Sequence, residues 1–484
     1  GRRLPTGWLT SSPTTRLPGV RMGPMPEPLL DLSVPTHVHV VGVGGAGMSA
    51  IAEVLVSMGH TVSGSDLKAS SGLERLAALG VEVRVGHAAD QVGGADLVTR
   101  STAVPDDNPE CRATLERGIP LFSRAEVLGA ISGLRDTIAV AGTHGKTTTA
   151  SMLALVLREA GLRPSFIIGG DVNEIGTGAA WDEGSIFVVE ADESDGSFLR
   201  LFTRYGLVTN LEPDHLEHHG GFEALLEAFD RFVEAVEGPV VVGVDDEEGA
   251  ALAARHGTGT VGTSDGADWR LSDVQESWEG VRFTLAGPTT GEFSLELPVP
   301  GLHNARNAAA AAAIAVHAGA EPPDVAGALA RFGGVARRFE HRGRVGGVVL
   351  VDDYAHLPTE VVATLETARS GGFARIVAVF QPHRFSRTEA LWSSFGEAFD
   401  GSDVLYVTDV YPSGEAPRPG VSGRLVVDAV LRDRPGMDVR YVARREDLVA
   451  ALASELRDGD LCLTMGAGDL TAVPDQLRVR LGVG

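Results

Sequence analysis

Thr137-Ile-Ala-Val-Ala-Gly-Thr-His-Gly-Lys-Thr-Thr148 is the stretch that decides the fold. A short apolar run, 137–141, meets a glycine turn, and the turn opens a helix from Thr147 onward. A strand that stops in glycine and restarts as a helix aims several backbone N–H groups, and the positive end of the helix dipole, at one spot. A phosphate chain suits that spot. Lys146 would offset charge on its β and γ oxygens, and the Thr147 hydroxyl would hold a magnesium ion. The strict phosphate loop has a glycine five residues before Gly145, and Val140 stands there instead, so this is a shortened variant. The plainer reading is a tight turn with a chance lysine. Lysine usage argues against it, because Lys68 and Lys146 are the chain's two lysines among 41 cationic residues. In a sequence that has drifted to arginine, a kept lysine marks a place that needs a compact point charge.

Outward from this unit, strands and helices alternate. Upstream, His37-Val-His-Val-Val41 alternates like a strand and meets Gly42-Val-Gly-Gly-Ala-Gly47. A helix over 48–58 and a strand from Thr61 to Asp66 complete a βαβ start, and alternation continues to about Leu134. Downstream, apolar strands are expected over 186–189, 207–209 and 240–244, and an alanine-rich helix over 305–318. Gly333-Gly334 reads as a hinge. A third block begins near Ala336, with strands over 348–351, 376–380, 404–408 and 461–465. The expected fold class is therefore α/β: three serial domains over 35–134, 135–334 and 335–484, with mostly parallel sheets. Residues 1–34 hold six prolines, no acid before Glu27 and no apolar core of a secretory signal, so they read as a disordered or over-extended start.

Composition narrows the function. The formal charge of −24 argues against nucleic acid or an anionic membrane as partner. No apolar run approaches a membrane-spanning length. Cys111 and Cys462 lie far apart without metal-ligand spacing, which suggests a reducing compartment.

Further motifs follow the strands. Glu190-Ala-Asp-Glu-Ser-Asp195 puts carboxylates where open sheets bind ligands. Alone such a run is as often a solvated loop; downstream of a phosphate loop it favours Mg2+. Asn210-Leu-Glu-Pro-Asp-His215 offers His215 as a candidate for a second metal or the reacting phosphate, or as a surface histidine. Gly301-Leu-His-Asn-Ala-Arg-Asn307 heads the alanine-rich helix, where amides read a base or act as caps. Ala336-Arg-Arg-Phe-Glu340, Asp352-Asp-Tyr-Ala-His356 and Gln381-Pro-His-Arg-Phe-Ser-Arg387 make a basic mouth on an acidic protein, suited to clamping a carboxylate. Finally, Gly42-x-Gly-x-x-Gly47 with Asp66 matches a dinucleotide fingerprint. Read alone it would predict a dehydrogenase, but nothing else supplies hydride chemistry, and the turn suits other diphosphates.

Together these motifs resemble the Mur ligase family over about 37–474. The strings that carry the resemblance are His39 to Ser49, Ser101-Thr-Ala, the Gly-Thr-His-Gly-Lys-Thr loop, Glu-Ala-Asp-Glu-Ser-Asp, Glu-Pro-Asp-His, His303-Asn-x-x-Asn307, Phe-Gln-Pro-His-Arg, Asp409-Val-Tyr-Pro-Ser-Gly-Glu415 and Gly466-Ala-Gly468. The resemblance implies a Rossmann-like UDP-binding domain, a central ATPase domain and a Rossmann-like C-terminal domain for the amino acid. It implies ATP-dependent joining of L-alanine to the carboxylate of UDP-N-acetylmuramate through an acyl phosphate, with ATP and Mg2+. Ligation of a whole tripeptide to the same sugar is the nearest alternative, and an NAD-dependent oxidoreductase the alternative from another class. It also implies a bacterial cytoplasmic enzyme, monomeric or weakly dimeric.

Carried over by resemblance, Gly44, Gly45, Ala46, Gly47 and Met48 cradle the sugar diphosphate, with Asp66, Ser101 and Thr102 near it. Gly142, Thr143, His144, Gly145, Lys146, Thr147 and Thr148 hold ATP phosphates. Asn304 and Asn307 contact the adenine with His303 beside them, and Arg337 or Arg338, and Asp352 or Asp353, reach ATP when the third domain closes. Lys146, His215, Arg338 and Asp352 are the expected catalytic group, and Thr147, Glu190 and His215 the metal ligands. Tyr354, His356, His383, Arg384 and Arg387 line the L-alanine and carboxylate pocket. Two departures stand out. The family often has a second histidine where Leu357 stands. Related members use a carbamylated lysine, for which the only central lysine, Lys146, is already committed, so no carbamate is expected.

Overall fold

The computed structural model describes residues 30–194, 196–213 and 219–482. His215 and Asp195, and most of the expected N-terminal extension, lie outside the described residues.

Three sheets stand in series. The first is all parallel, in the order Glu82–Val85, Thr61–Asp66, His37–Val41, Leu97–Arg100 and Leu121–Ser123. The strand order reverses between His37–Val41 and Leu97–Arg100, which opens a crevice at their carboxyl ends. The expected strand bounds here hold, because alternating residues meet a glycine at the end of one strand and an acid at the end of the next. One expectation fails: Leu30 and Leu32, assigned to the extension, are buried in the first core. Two apolar side chains within three residues were enough to anchor that segment.

The second sheet is built around Asp136–Ala141, with Ile186–Glu190 on one side and Tyr205–Val208 on the other, all parallel. Ile138, Ala139, Val140 and Ala141 are fully buried, as expected of a strand covered on both faces. Val240–Gly243 and Gly259–Gly262 extend it in parallel. Beyond them the pattern changes to an antiparallel meander, Trp269–Ser277, Gly280–Gly287 and Gly291–Leu297, absent from the sequence reading. Its inward positions, among them Leu271, Val281, Phe283, Leu285, Leu295 and Leu297, are buried and apolar, and those between them are mostly polar or charged, so the signal is an alternation with no glycine-rich motif beside it. Helix Lys146–Glu159 packs on helix Leu302–His317, whose Ala308, Ala309, Ala311, Ala312 and Ala313 are fully buried. Side chains of one carbon let the two axes approach closely, and a larger residue there would overpack the core by about 1–3 kcal/mol.

The third sheet runs Glu340–Val345, Val348–Asp353, Asp460–Met465, Arg375–Phe380, Val404–Val407 and Asp438–Tyr441, antiparallel only at its first pair. The observed architecture is thus the expected one of three α/β domains, with antiparallel edges added. The first two domains share a core, in which Val127, Leu128 and Ile131 join Phe198 and Leu201. The third meets the second at Trp278, whose ring packs edge-on to Phe373 at 4.6 Å and Phe339 at 5.5 Å.

Candidate active site

The carboxyl ends of three adjacent strands of the second sheet supply the glycine loop, Glu190 and Thr209-Asn210. Gly142 and Gly145 take φ of +121° and +78°, values that L side chains avoid. The loop is pinned from the neighbouring strand end. Asn210 accepts from Thr143 N–H through its carbonyl (3.0 Å) and from His144 N–H through Oδ1 (2.9 Å). Thr209 Oγ1 and Asn210 Nδ2 donate to the His144 carbonyl at 2.6 and 3.0 Å. Helix Lys146–Glu159 starts on Gly145 with no side-chain cap, which leaves its first amides to a ligand.

Lys146 Nζ donates to the carbonyls of Gly142 (2.7 Å) and Thr143 (3.0 Å) and to Glu193 Oε1 (2.9 Å). Glu193 lies within the acidic run 190–195, and only the fold brings it to Lys146. Burial pushes its carboxyl up to about 7 against the pull of Lys146. Burial also opposes the Lys146 charge, yet Glu193, Glu190 and Asp192 together raise its pKa. Thr147 Oγ1 lies 3.0 Å from both oxygens of Glu190, and Gly169 N–H donates to Glu190 Oε2 at 2.8 Å. A hydroxyl beside a carboxylate is an oxygen-only donor set that fits a hard divalent cation completed by phosphate and water. No group of three His, Cys, Asp or Glu able to hold a metal by itself occurs among the described residues.

A cavity of about 910 Å³ opens between the second and third domains. His144, Gly145, Thr148, His303, Asn304, Asn307, Arg338 and Asp353 line it, so these expected nucleotide residues are brought together. Asn304 is not a helix cap: Gly301 occupies that position, and Asn304 Nδ2 donates to the Pro300 carbonyl at 2.7 Å. Burial, with Arg338 and Arg306 nearby, takes His303 down to about 4, which keeps it neutral. Burial raises Asp353 to about 6 against the pull of Arg338 and the amides of Ala355 and Phe339. Arg337 and Asp352 do not line this cavity. Arg337 Nη2 donates to the carbonyls of Gly466 (2.7 Å) and Gly468 (3.1 Å), and Asp352 accepts from the hydroxyls of Thr464 and Thr471, each at 2.6 Å. Consecutive strand residues point to opposite faces, so the two Asp of the pair cannot serve one pocket.

At the carboxyl edge of the third sheet a chain of rings forms. Tyr354 meets His356 edge-on at 5.4 Å, His356 meets His383 at 5.6 Å, and His383 stacks on Tyr411 at 5.9 Å. Arg337 and Arg338 lie over the Tyr354 ring at 4.8 and 5.0 Å, and Arg387 Nη1 approaches His383 Nδ1 at 3.1 Å. Arg384 takes φ +64° and its N–H donates to the Tyr411 carbonyl at 2.8 Å. Burial, with His356 and the two arginines, depresses His383 to about 3, so it stays neutral within a positive pocket. Tyr411 stands within the run 409–415, and only the fold sets it against His383. Leu357 is buried at the start of helix Pro358–Arg369, and its N–H donates to Glu360 Oε2 at 3.2 Å.

Glu360 was not foreseen. His144 reaches across the domain boundary with Nδ1 3.2 Å from Glu360 and Nε2 3.4 Å from Glu212. Burial works against its charge, but the two carboxylates lift it to about 9.

In the first domain Gly44 N–H donates to Asp66 Oδ2 at 2.9 Å, so this carboxylate braces the glycine loop instead of facing a ribose. A Cβ on Gly42 would sit 3.1 Å from Ser101 Cβ, which puts Ser101 against the same turn; Thr102 beside it is exposed. Arg124, missed by sequence reading, stands over Gly47, where a Cβ would come 3.2 Å from Nη1. A guanidinium above a helix start suits a diphosphate.

Sequence profiles match along the chain in order: "Mur ligase family, catalytic domain" at 37–135, "Mur ligase middle domain" at 140–315 and "Mur ligase, glutamate ligase domain" at 337–468. The UDP-N-acetylmuramate–L-alanine ligase of Nitratidesulfovibrio vulgaris (strain DP4) is 46% identical over 442 residues, which are 90% of this chain and 97% of the relative. The crystal structure of the UDP-N-acetylmuramate-alanine ligase of Thermotoga maritima superposes with a TM-score of 0.78 at 30% identity, covering 92% of this chain and 99% of that one. A murein peptide ligase from Psychrobacter arcticus has a TM-score of 0.69 at 24% identity, covering 92% and 99%, a likeness of fold alone.

Proposed function

The chain belongs to the Mur ligase family, and from that premise we propose that it joins L-alanine to the muramyl carboxylate of UDP-N-acetylmuramate, using ATP with Mg2+. The observation that carries this reading is the convergence of two chemically different half-sites. A glycine loop with Lys146, Thr147 and Glu190 suits a nucleotide triphosphate; the cavity at His144 and Gly145 of this loop is walled on its far side by Arg338, Asp353 and Glu360 of the third domain, and Glu360 also holds His356, the nearest member of the histidine- and arginine-rich group suited to a carboxylate. Kinship at 46% identity over 90% of the chain with an enzyme named for alanine ligation favours alanine over a tripeptide.

In this reading, Gly44 to Met48, with Ser101, Thr102 and Arg124, hold the UDP diphosphate, and Asp66 braces their loop. His303, Asn304 and Asn307 flank the adenine, and Lys146 and the amides after Gly145 take the phosphates. Thr147 and Glu190, with His215 of the sequence motif, would hold Mg2+, which when bound neutralises phosphate charge. A muramyl carboxylate oxygen attacks the γ-phosphorus; its bond to the ADP oxygen breaks, ADP leaves, and an acyl phosphate forms. Lys146 and Arg338 stabilise charge during that transfer, a contribution worth about 2.7–4 kcal/mol per well-placed donor. The alanine carboxylate is clamped by Arg384 and Arg387, with Tyr354, His356 and His383 around it. Its amine nitrogen attacks the acyl carbon, inorganic phosphate leaves with the C–O electron pair, and a proton passes to solvent. Arg337 and Asp352 orient the loop at Gly466–Gly468. ATP and a nucleotide sugar are cytoplasmic metabolites, so we assign the enzyme to that compartment.

Hydroxylamine trapping tests the chemistry. With ATP, Mg2+ and UDP-N-acetylmuramate, a sugar hydroxamate is expected even without alanine. Hydroxamate that forms equally without ATP, or none under any condition, counts against the acyl-phosphate route.

A further inference from the structure

We propose that Glu360 is a positioning residue that links the nucleotide loop to the amino-acid pocket through one carboxylate shared between His144 and His356. The proposal rests on the functional reading above and adds to it a coupling between its two half-sites.

The geometry is that of a hub. Glu360 Oε2 accepts from the backbone N–H groups of His356 (2.9 Å) and Leu357 (3.2 Å), and it lies 3.3 Å from His356 Nδ1. This end of the carboxylate therefore fixes the backbone of His356 and, together with the Tyr354 carbonyl 3.0 Å from the same ring nitrogen, orients the ring that joins Tyr354 to His383 in the pocket. The other oxygen, Oε1, faces His144 Nδ1 at 3.2 Å. His144 belongs to another domain and to the turn that leads into Lys146. Its backbone is held on both sides by Thr209 and Asn210, so the ring is presented from a rigid base. Its second nitrogen lies 3.4 Å from Glu212. An imidazole held between two carboxylates of different elements is oriented by both, and Glu360 is only 14% exposed, so water competes little for it.

The consequence is linkage. When the third domain docks with its helix Pro358–Arg369 over the glycine loop, the same carboxylate that receives His144 sets the amide and ring of His356. A loop conformation that turns His144 away removes that partner and loosens the pocket. Binding at the two half-sites then depends on one shared arrangement, and thermodynamic reciprocity requires each ligand to favour the other.

A double-mutant cycle on the full-length enzyme tests this with His144→Asn, Glu360→Gln and the combined variant, read as the KM for L-alanine at saturating ATP. Each single substitution is expected to raise that KM on the order of ten-fold, with kcat changed less, and the combined variant is expected to be no worse than the poorer single one. Glu360→Asp should recover part of the loss. A merely structural role would lower the active fraction, and so kcat, without moving KM. Single effects that multiply in the combined variant, or an alanine KM unchanged by His144→Asn, would overturn the linkage. His144→Asn by itself keeps the test decisive should Glu360→Gln fold poorly. If the unaltered enzyme shows no alanine-dependent turnover, it is the functional reading that falls; multiplying effects in an active enzyme sink the linkage alone.

Discussion

Gly145→Ala is the substitution whose cost the structure resolves into parts. Gly145 has φ +78°, and a Cβ there would stand 3.0 Å from Asn307 Cγ and closer still to Oδ1. A left-handed conformation costs an alanine about 1–2 kcal/mol. Forcing the Asn307 amide aside adds a steric penalty of about 1–3 kcal/mol, typical of overpacking a filled site. The single variant should therefore lose about 2–5 kcal/mol of stability. Asn307→Ala combined with Gly145→Ala removes the clash and leaves the backbone cost, so the pair should recover about 1–3 kcal/mol relative to Gly145→Ala alone. Urea unfolding followed by circular dichroism reads both differences, and fluorescence of a labelled ATP analogue reads binding. Both variants should bind the analogue weakly, the first because its loop is distorted and the second because an adenine-side amide is gone. If Gly145→Ala is as stable as the parent, the loop is not held as described. If the pair is no more stable than the single variant, Asn307 is not what the new methyl group meets.

Three further outcomes are expected. His144 titrates near 9 in the folded protein, above its ordinary 6.5, so its contact with Glu360 contributes fully below about pH 6.5 and is lost as pH rises through about 9. Trp278 fluorescence, which senses packing against Phe339 and Phe373 across the same domain boundary, should change over that window in the parent and stay flat in His144→Asn; an identical transition in both would contradict the assignment. Cys111 and Cys462 are buried, and burial raises both thiols, Cys462 to about 12, so a thiol reagent should label neither in the native protein and both after denaturation. Glu190→Gln removes the carboxylate beside Thr147 and should weaken the Mg2+ requirement's midpoint by at least roughly ten-fold in rate measurements against Mg2+ concentration. An unmoved midpoint would take Glu190 out of the ligand set.

What was legible in the sequence follows a physical division. Strands buried on both faces and ending in glycine or acid announce themselves, which is why His37–Val41, Thr61–Asp66 and the loop from Gly142 were placed closely. Open parallel sheets gather their carboxyl ends, which is why Lys146, Thr147 and Glu190 were legible together, while Asn304 and Asn307 come to the same loop from helix Leu302–His317. Contacts between residues far apart in the chain leave no local pattern. Nothing in the neighbourhood of Glu360 announces His144, and Trp278 in its two-residue turn gives no hint of Phe339 and Phe373. Asp352 and Asp353 are neighbours in a strand, and alternation sends their carboxylates to different partners, whereas Arg337 and Arg338 lie in a turn over the same Tyr354 ring and only Arg338 reaches the cavity, a distinction that no local pattern carries. Leu30 and Leu32 were lost among prolines because two buried leucines make no periodic signal.

Phosphate release from ATP, with Mg2+, UDP-N-acetylmuramate and a panel of amino acids and the tripeptide, tests the central claim most directly. Release that requires both the sugar and L-alanine is the predicted result. Release with the tripeptide and not with alanine, or none with any acceptor, would contradict it.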